Sequence, residues 1–407
     1  MMIKNRIMIS LLILIVLGVQ VAWCEEASRR IILREGRVRS NTAFFDAVIS
    51  GDKEKVKKLI ESDPKLINVV ESKEPQDARI LDDSFLGSRD PWNSLMYASF
   101  YGDRDILKLL LQKGAKPKAD CQSGWTALHS AVWNGHADIV RVLLNLGTDP
   151  NKMLRRTYFS SKSGEFMSYY SESEGKWTVS VGGDMDRWTP LHIAARNGHT
   201  NTAQLLIENG AKIQVFDHDG WTPLHFAVGY DRIPIIDLLL SKGADVNVYR
   251  PGKVSPLFCA VGQGKRTAFL RLVSAGADLT YRNASGDTLL HWTTDPWIAE
   301  TLISRGLNTS IRNRYQQTPL HKAAGSGLVP VAEVIVASGG DVDAQDEWGS
   351  TPLHIAVNRE KIDMVKFLLE KGANTKIKDG NGRTPLDWAE CCPRCKELVD
   401  ILRKQDR

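Results

Sequence analysis

The sequence predicts an all-α solenoid of repeated helix-turn-helix units with projecting β-hairpin tips. The first observation is that the phrase Thr-Pro-Leu-His returns ten times in exact or altered form, six times at a spacing of 33 residues. The second is a glycine at a fixed place in most units, and the third is apolar residues at helical spacing between phrase and glycine. A fixed period of this length is the signature of a stacked repeat architecture.

The repeated phrase starts the first helix of each unit. In the unit at Thr222 the threonine hydroxyl suits a helix N-cap, and Pro223 suits the first helical position because it has no N–H. Leu224, Ala227 and Val228 then form one apolar stripe. The phrase or its variant begins at Thr42, Asn93, Thr126, Thr189, Thr222, Ser255, Thr288, Thr318, Thr351 and Thr384.

The second helix of the same unit is predicted over residues 233–241. It ends before Gly243, because glycine accepts the left-handed conformation that closes a helix. A polar stretch then leads to the turn before the next threonine. In other units the position of Gly243 is held by Gly114, Gly147, Gly210, Gly276, Gly306, Gly339 and Gly372.

This turn, helix, helix unit resembles the ankyrin repeat, and the resemblance covers about residues 41–404. It implies an L-shaped stack of antiparallel helix pairs with hairpin tips projecting to one side. It also implies that the histidine of the phrase bonds between neighbouring turns, and that the domain binds proteins. Because no unit buries its own apolar face, the terminal units are expected to be atypical.

The N-terminus predicts a signal peptide over residues 1–24. Lys4 and Arg6 form the basic region, residues 7–19 the apolar core, and Ala22-Trp23-Cys24 the cleavage site. The mature chain would start at Glu25 and be exported, either periplasmic or secreted; a membrane anchor at residues 7–23 is the alternative. A basic linker over residues 25–40 follows. The net charge of +5 is too mild to indicate nucleic-acid binding.

Two insertions interrupt the repeats, at about residues 70–90 and 154–183. The longer one is rich in aromatic residues, including Tyr169, Tyr170 and Trp177, and its alternating pattern predicts short strands. Two interpretations stay open: a tolerated surface insertion, or a finger that contacts a partner.

No enzyme is predicted. Eight of the nine histidines are structural by pattern, since six end the phrase and two occupy Asn-Gly-His turns between helices. No Ser-His-Asp order, phosphate-binding loop or zinc-ligand spacing stands apart from the repeat scaffold. We therefore expect no catalytic residue, no cofactor and no metal.

One cluster of cysteines could take part in redox or metal chemistry. Cys392 and Cys395 form a C-x-x-C, with Cys391 adjacent, at the turn before the last helix. One interpretation is a local disulfide or idle thiols in a terminal cap. The other is a thiol redox or metal-handling site, since a helix N-terminus can lower a thiol pKa. The mature chain has an odd number of cysteines, so at least one thiol stays unpaired or bonds between molecules.

The best-marked recognition surface is a series of four tryptophans, Trp92, Trp125, Trp188 and Trp221. Each stands immediately before the phrase, so we expect a row on the hairpins, with the first-helix residues Trp133 and Tyr230 on the same concave side. The alternative is that each ring packs against the next hairpin. The prediction is thus a monomeric, non-enzymatic scaffold that binds a protein through its hairpin and concave face, and a secreted effector that binds a host protein is a second possibility.

Overall fold

The computed structural model describes residues 42–70, 92–155, 170–171, 176–177, 185–249, 254–392 and 394–405. These residues contain twenty α-helices in successive pairs, which confirms the predicted helical repeat solenoid. The described residues separate into two compact units, one up to residue 212 and one that begins at residue 213 and also takes in 170–171 and 176–177.

The first unit holds four helix pairs and one 3₁₀ helix. The pairs are α1 (Thr42–Ser50) with α2 (Lys53–Ser62), α3 (Ser94–Tyr101) with α4 (Arg104–Gln112), α5 (Ala127–Trp133) with α6 (Ala137–Asn145), and α7 (Pro190–Asn197) with α8 (Thr200–Glu208). The 3₁₀ helix is Pro64–Asn68, after α2.

The second unit holds six pairs and a two-stranded antiparallel sheet. The helices are α9 (Pro223–Gly229), α10 (Ile233–Ser241), α11 (Pro256–Gly262), α12 (Arg266–Ser274), α13 (Leu289–Trp292), α14 (Pro296–Ser304), α15 (Pro319–Ser326), α16 (Val329–Ala337), α17 (Pro352–Asn358), α18 (Ile362–Glu370), α19 (Pro385–Glu390) and α20 (Lys396–Gln405). The sheet pairs β1 (Tyr170–Ser171) with β2 (Lys176–Trp177).

Helix starts and stops follow the predicted local chemistry. Thr222 is an extended N-cap whose hydroxyl accepts the His225 N–H, and Pro223 is the first helical residue of α9. Helix α10 has the predicted bounds, and Gly243 after it is left-handed with φ of 85°. All the other glycines predicted to close second helices also have positive φ. The capping residues therefore set the length of each helix.

The core lies between helix pairs. In α5 and α6, Leu128, Val132, Ile139 and Leu143 are fully buried. Helix α5 contacts both α3 and α7, so each first helix packs against the first helices of its neighbours within the unit. Alanines such as Ala131, also fully buried, permit that close approach. Stability thus comes from neighbour contacts, as expected for a repeat stack.

Both insertions are closed at their base by the backbone. Val70 and Asn93 form an antiparallel bridge across the first insertion. Across the second, the Leu154 N–H donates to Trp188 O at 2.9 Å, and the Arg187 N–H donates to Leu154 O at 3.0 Å. The helix pairs on either side therefore keep a direct connection whatever the inserted length.

One pair in the second unit is shortened where the sequence lacks three residues. Helix α13 has a single turn and ends at Trp292, and Thr293 after it is extended. Asp295 then caps α14 by accepting the Ile298 N–H at 3.0 Å, with Pro296 in the first turn. The deletion is absorbed by the first helix of the pair.

No helix within the described ranges is both long and apolar enough to cross a bilayer. The predicted signal peptide and basic linker lie outside the described residues.

Candidate functional site

The phrase histidines form a repeated hydrogen-bond device. The Nδ1 of His129 accepts the Thr126 N–H at 3.2 Å and lies 2.8 Å from Thr126 Oγ1. Its Nε2 lies 3.1 Å from the carbonyl oxygen of Lys152, so Nε2 carries the proton and donates. The ring is thus neutral and links a helix start to the following loop. The same Nε2-to-carbonyl link is made by His225, His291, His321 and His354.

Burial lowers the pKa of four of these imidazoles. It brings the pKa of His129 to about 3 and that of His291 to about 4, and it lowers the pKa of His321 and His354. Protonation would remove the acceptor that the threonine N–H uses. These histidines are structural, as the sequence predicted.

The four tryptophans before the phrase are buried, between 2% and 7% exposed. Trp92 and Trp125 stack with ring centroids 5.8 Å apart, and Trp125 Nε1 donates to Ser130 Oγ at 2.8 Å. Trp221 packs against His225 and Phe226 of α9, the helix that follows it. This burial favours the packing alternative, and a partner contact through Trp92, Trp125, Trp188 or Trp221 stays a prediction.

The other predicted aromatic residues lie apart from that series. Trp133 is half-buried under the guanidinium of Arg196, 5.4 Å from the ring centroid, and Tyr230 is half-buried at the end of α9. The backbones of Tyr170 and Trp177 are paired in register in the two-stranded sheet. Short strands in the insertion are thereby confirmed, while Tyr169 lies outside the described residues.

Two aromatic rings that the sequence reasoning missed are exposed and stacked. Tyr315 is 42% exposed and Trp348 54% exposed, with centroids 5.9 Å apart and planes 20° from parallel. They lie in the turns that precede α15 and α17, which are the tips of two consecutive repeats of the second unit. We call them the tip pair. Each stands three residues before its phrase threonine, whereas the buried tryptophans stand one residue before it, and that offset is a signal the sequence did contain.

Hydrogen bonds hold the two tips that carry the pair in place. Asn313 Oδ1 accepts the Tyr315 N–H at 2.9 Å, and Asp346 Oδ1 accepts the Trp348 N–H at 3.0 Å. The Glu347 N–H donates to the Tyr315 carbonyl at 3.1 Å, which joins the two tips directly. The rings therefore project from a preformed surface, which lowers the entropy cost of binding.

The surroundings of the tip pair are mainly basic. On its two tips, Arg312, Arg314 and Glu347 are exposed, and the following loop adds the exposed Lys376 and Lys378. The guanidinium of Arg312 donates to the carbonyl of Gln345 on the neighbouring tip, which holds one positive charge in place. A partner with acidic side chains would be attracted here.

The cysteine cluster is a separate feature at the last helix pair. Cys391, Cys392 and Cys395 are thiols without a disulfide; Cys391 is exposed and Cys395 is buried. Burial and the neighbouring Cys392 raise the pKa of the Cys395 thiol to about 12. That shift is opposite to the lowered thiol pKa that redox chemistry at this helix start would need.

Comparison with known families agrees with the fold. The family model described as "Ankyrin repeats (3 copies)" matches residues 44–153, 168–250 and 320–406. The matches cover more than half of the chain, so the chain belongs to the ankyrin repeat family. Residues 251–319, which hold the altered phrases at Ser255 and Thr288 and the shortened helix α13, fall between the matches. No curated protein matches the chain significantly. Ankyrin repeats generally mediate protein–protein interaction and are typically non-enzymatic.

Proposed function

We propose that this chain is a non-enzymatic scaffold that binds a protein partner at the tip pair, Tyr315 and Trp348. The observation that carries the proposal is the exposure of two stacked aromatic rings on hydrogen-bonded tips. Aromatic anchors contribute disproportionately to interface energy, on the order of 2 kcal/mol or more each when they are central. The partner segment would combine an apolar side chain for the rings with acidic residues for Arg312 and Arg314.

The absence of a competing chemical role for the histidines supports the same proposal. In the described residues, the phrase histidines are engaged in capping and in links to the next loop. An imidazole held neutral between two backbone groups is not available as a general base. The ten helix pairs among the described residues would be ten repeats, beginning near the phrase positions.

We also propose that the chain acts after export and removal of residues 1–24, as a monomer. Fractionation of the source cells, with the protein detected by an antibody to the repeat domain, tests this. Recovery of the full-length chain in the cytoplasm, with residues 1–24 retained, would contradict it.

The binding proposal is tested by affinity capture from an extract of the source organism with residues 25–407 as bait. A Tyr315→Ala/Trp348→Ala double variant is expected to lose partners that the unmodified chain retains. The matched control is Leu270→Ala, because Leu270 is also 42% exposed but lies on the second helix α12. Both variants should unfold at the temperature of the parent.

A captured partner is then measured in solution. The double variant should weaken its binding by about 1,000-fold, given two anchors of about 2 kcal/mol each. Raising the salt concentration should weaken binding further, because acidic partner residues would be screened from Arg312 and Arg314. Equal binding by the parent and the double variant would show that the partner uses another surface. The insertion over residues 154–183 and the buried tryptophan series would then be examined in turn.

A further inference from the structure

Three potential metal ligands converge where the last two helix pairs meet. The carboxylate of Glu360 and the thiols of Cys392 and Cys395 each offer one ligand atom, and these atoms all lie within 4.8 Å of one another. Cys392 Sγ lies 3.9 Å from Glu360 Oε1 although the residues are 32 positions apart in the chain. The two cysteines are held together by the hydrogen bond from the Cys395 N–H to the Cys392 carbonyl at 3.0 Å.

The backbone at Glu360 is unusual for a residue with a side chain. Glu360 follows α17 in the turn between two paired helices and has a left-handed φ of 54°. The equivalent turn position is Asp231, with φ of 57°, in one other pair, and in six others it is a glycine of positive φ: Gly51, Gly102, Gly135, Gly198, Gly264 and Gly327. A glutamate is disfavoured in this conformation, and such outliers often mark functional positions.

Cys395 also occupies a position with a defined neighbour. It directly precedes the second helix of its pair, α20, as His136 precedes α6 and His199 precedes α8. Each of these histidine rings lies over the turn glycine of the preceding helix pair. A Cβ on Gly135, for example, would fall 2.4 Å from the ring of His199. The corresponding geometry at the last pair places a thiol over Glu360.

We propose that Glu360, Cys392 and Cys395 bind one zinc ion, with water as a fourth ligand. Thiolate and carboxylate are both zinc ligands, and three protein ligands plus water complete a tetrahedron. Zinc–sulfur bonds of about 2.3 Å set the two sulfurs about 3.8 Å apart in that geometry, so the cluster has to contract by about 1 Å at most. The two thiols lose their protons to solvent on binding. The ion would tie the terminal helix pair to its neighbour.

The test uses the purified mature chain, residues 25–407, fully reduced and free of metal. Titration with Zn²⁺ alone is expected to show one equivalent bound, with release of protons. Co²⁺ as a probe should give the strong near-ultraviolet absorption of thiolate-to-cobalt charge transfer. Zinc should also raise the unfolding temperature of the chain.

Glu360→Gly is the most informative variant. Glycine suits the left-handed turn, so the metal-free variant is expected to fold and to unfold at the parent temperature or above. Its zinc affinity should fall at least about 10-fold, with the loss of one ligand. Cys395→Ser should lose binding, and Cys391→Ser is the matched control because Cys391 is adjacent and outside the cluster.

Equal zinc affinity in the parent, Glu360→Gly and Cys395→Ser would overturn the proposal. So would the absence of stoichiometric binding at micromolar zinc in the fully reduced parent. The partner-capture experiment is unaffected by either result, since the tip pair and the cluster are separate sites.

Discussion

Acidification should destabilise this chain through its buried histidines. The ordinary histidine pKa of 6.5 applies in the unfolded chain, whereas burial holds the pKa of His291 at about 4 and that of His129 at about 3 in the fold. Between pH 6.5 and those values the unfolded state binds protons that the folded state does not. Stability is therefore complete above about pH 6.5 and decreases as the pH falls towards 4 and 3.

The magnitude follows from the two pKa shifts. At pH 5 an ordinary histidine is almost fully protonated, while His129 and His291 are almost fully neutral in the fold. Each histidine therefore lowers the unfolding free energy at pH 5 by about 2 kcal/mol relative to pH 7, and the two together lower it by about 4 kcal/mol. His321 and His354 act in the same direction. Burial alone would raise the pKa of Asp379, but hydrogen bonds, led by those from Arg383, lower it to about 2, so this carboxylate stays charged throughout.

Urea denaturation of residues 25–407 at pH 7, 6 and 5, followed by circular dichroism, measures the effect. His129 lies in the first compact unit and His291 in the second, so any separate transitions should each shift. His291→Asn is expected to lower stability at pH 7 but to reduce the slope of free energy against pH by about 1.4 kcal/mol per pH unit near pH 5. An unfolding free energy at pH 5 within about 1 kcal/mol of the pH 7 value would refute the argument.

Three further predictions concern stability. Trp125→Ala removes a buried ring that stacks on Trp92, so it should lower the unfolding free energy by about 3–5 kcal/mol in chemical denaturation; a loss below about 1 kcal/mol would show that the ring is not a core element. Gly135→Ala places a methyl group 2.4 Å from the His199 ring in a left-handed turn, and a fall in melting temperature is expected, whereas Gly114→Ala, left-handed but with open space, should cost less. Replacing residues 156–184 by a short Gly-Ser linker should leave the melting temperature unchanged or raised, because Leu154 and Trp188 already close that base and a shorter loop costs about 1–2 kcal/mol less entropy; a marked fall would mean that the insertion supports the core.

The repeat unit could be predicted from sequence because its boundaries are set by local chemistry. A threonine followed by proline starts the first helix, and a glycine in most units 21 residues later ends the second helix, whatever the distant residues are. The bounds of α10 and the positive φ of Gly243 follow from that chemistry alone. The shortened helix α13 was likewise visible as a three-residue deficit with Asp295-Pro296 in it.

The exposure of the aromatic rings could not be predicted in the same way. Residues one and three positions before the phrase threonine are both in the hairpin, and both hold aromatic side chains in this chain. Trp125, one residue before its threonine, is buried against its neighbour, whereas Trp348, three residues before its threonine, is exposed. Which position is buried depends on how consecutive hairpins meet, and no property of a single unit determines that.

The cysteine cluster shows how ligand sets arise in a repeat protein. A search for metal ligands by linear spacing finds only Cys392 and Cys395, because Glu360 lies about one repeat earlier. A stack brings residues one period apart into contact, so ligands have to be sought along columns of equivalent positions. In the column of inter-helix turns, Glu360 and Asp231 stand where six pairs have glycine, and in the column that precedes the second helix, Cys395 stands where two pairs have histidine. The ligand set therefore depends on the contact between two consecutive helix pairs, and no spacing within one pair would reveal it.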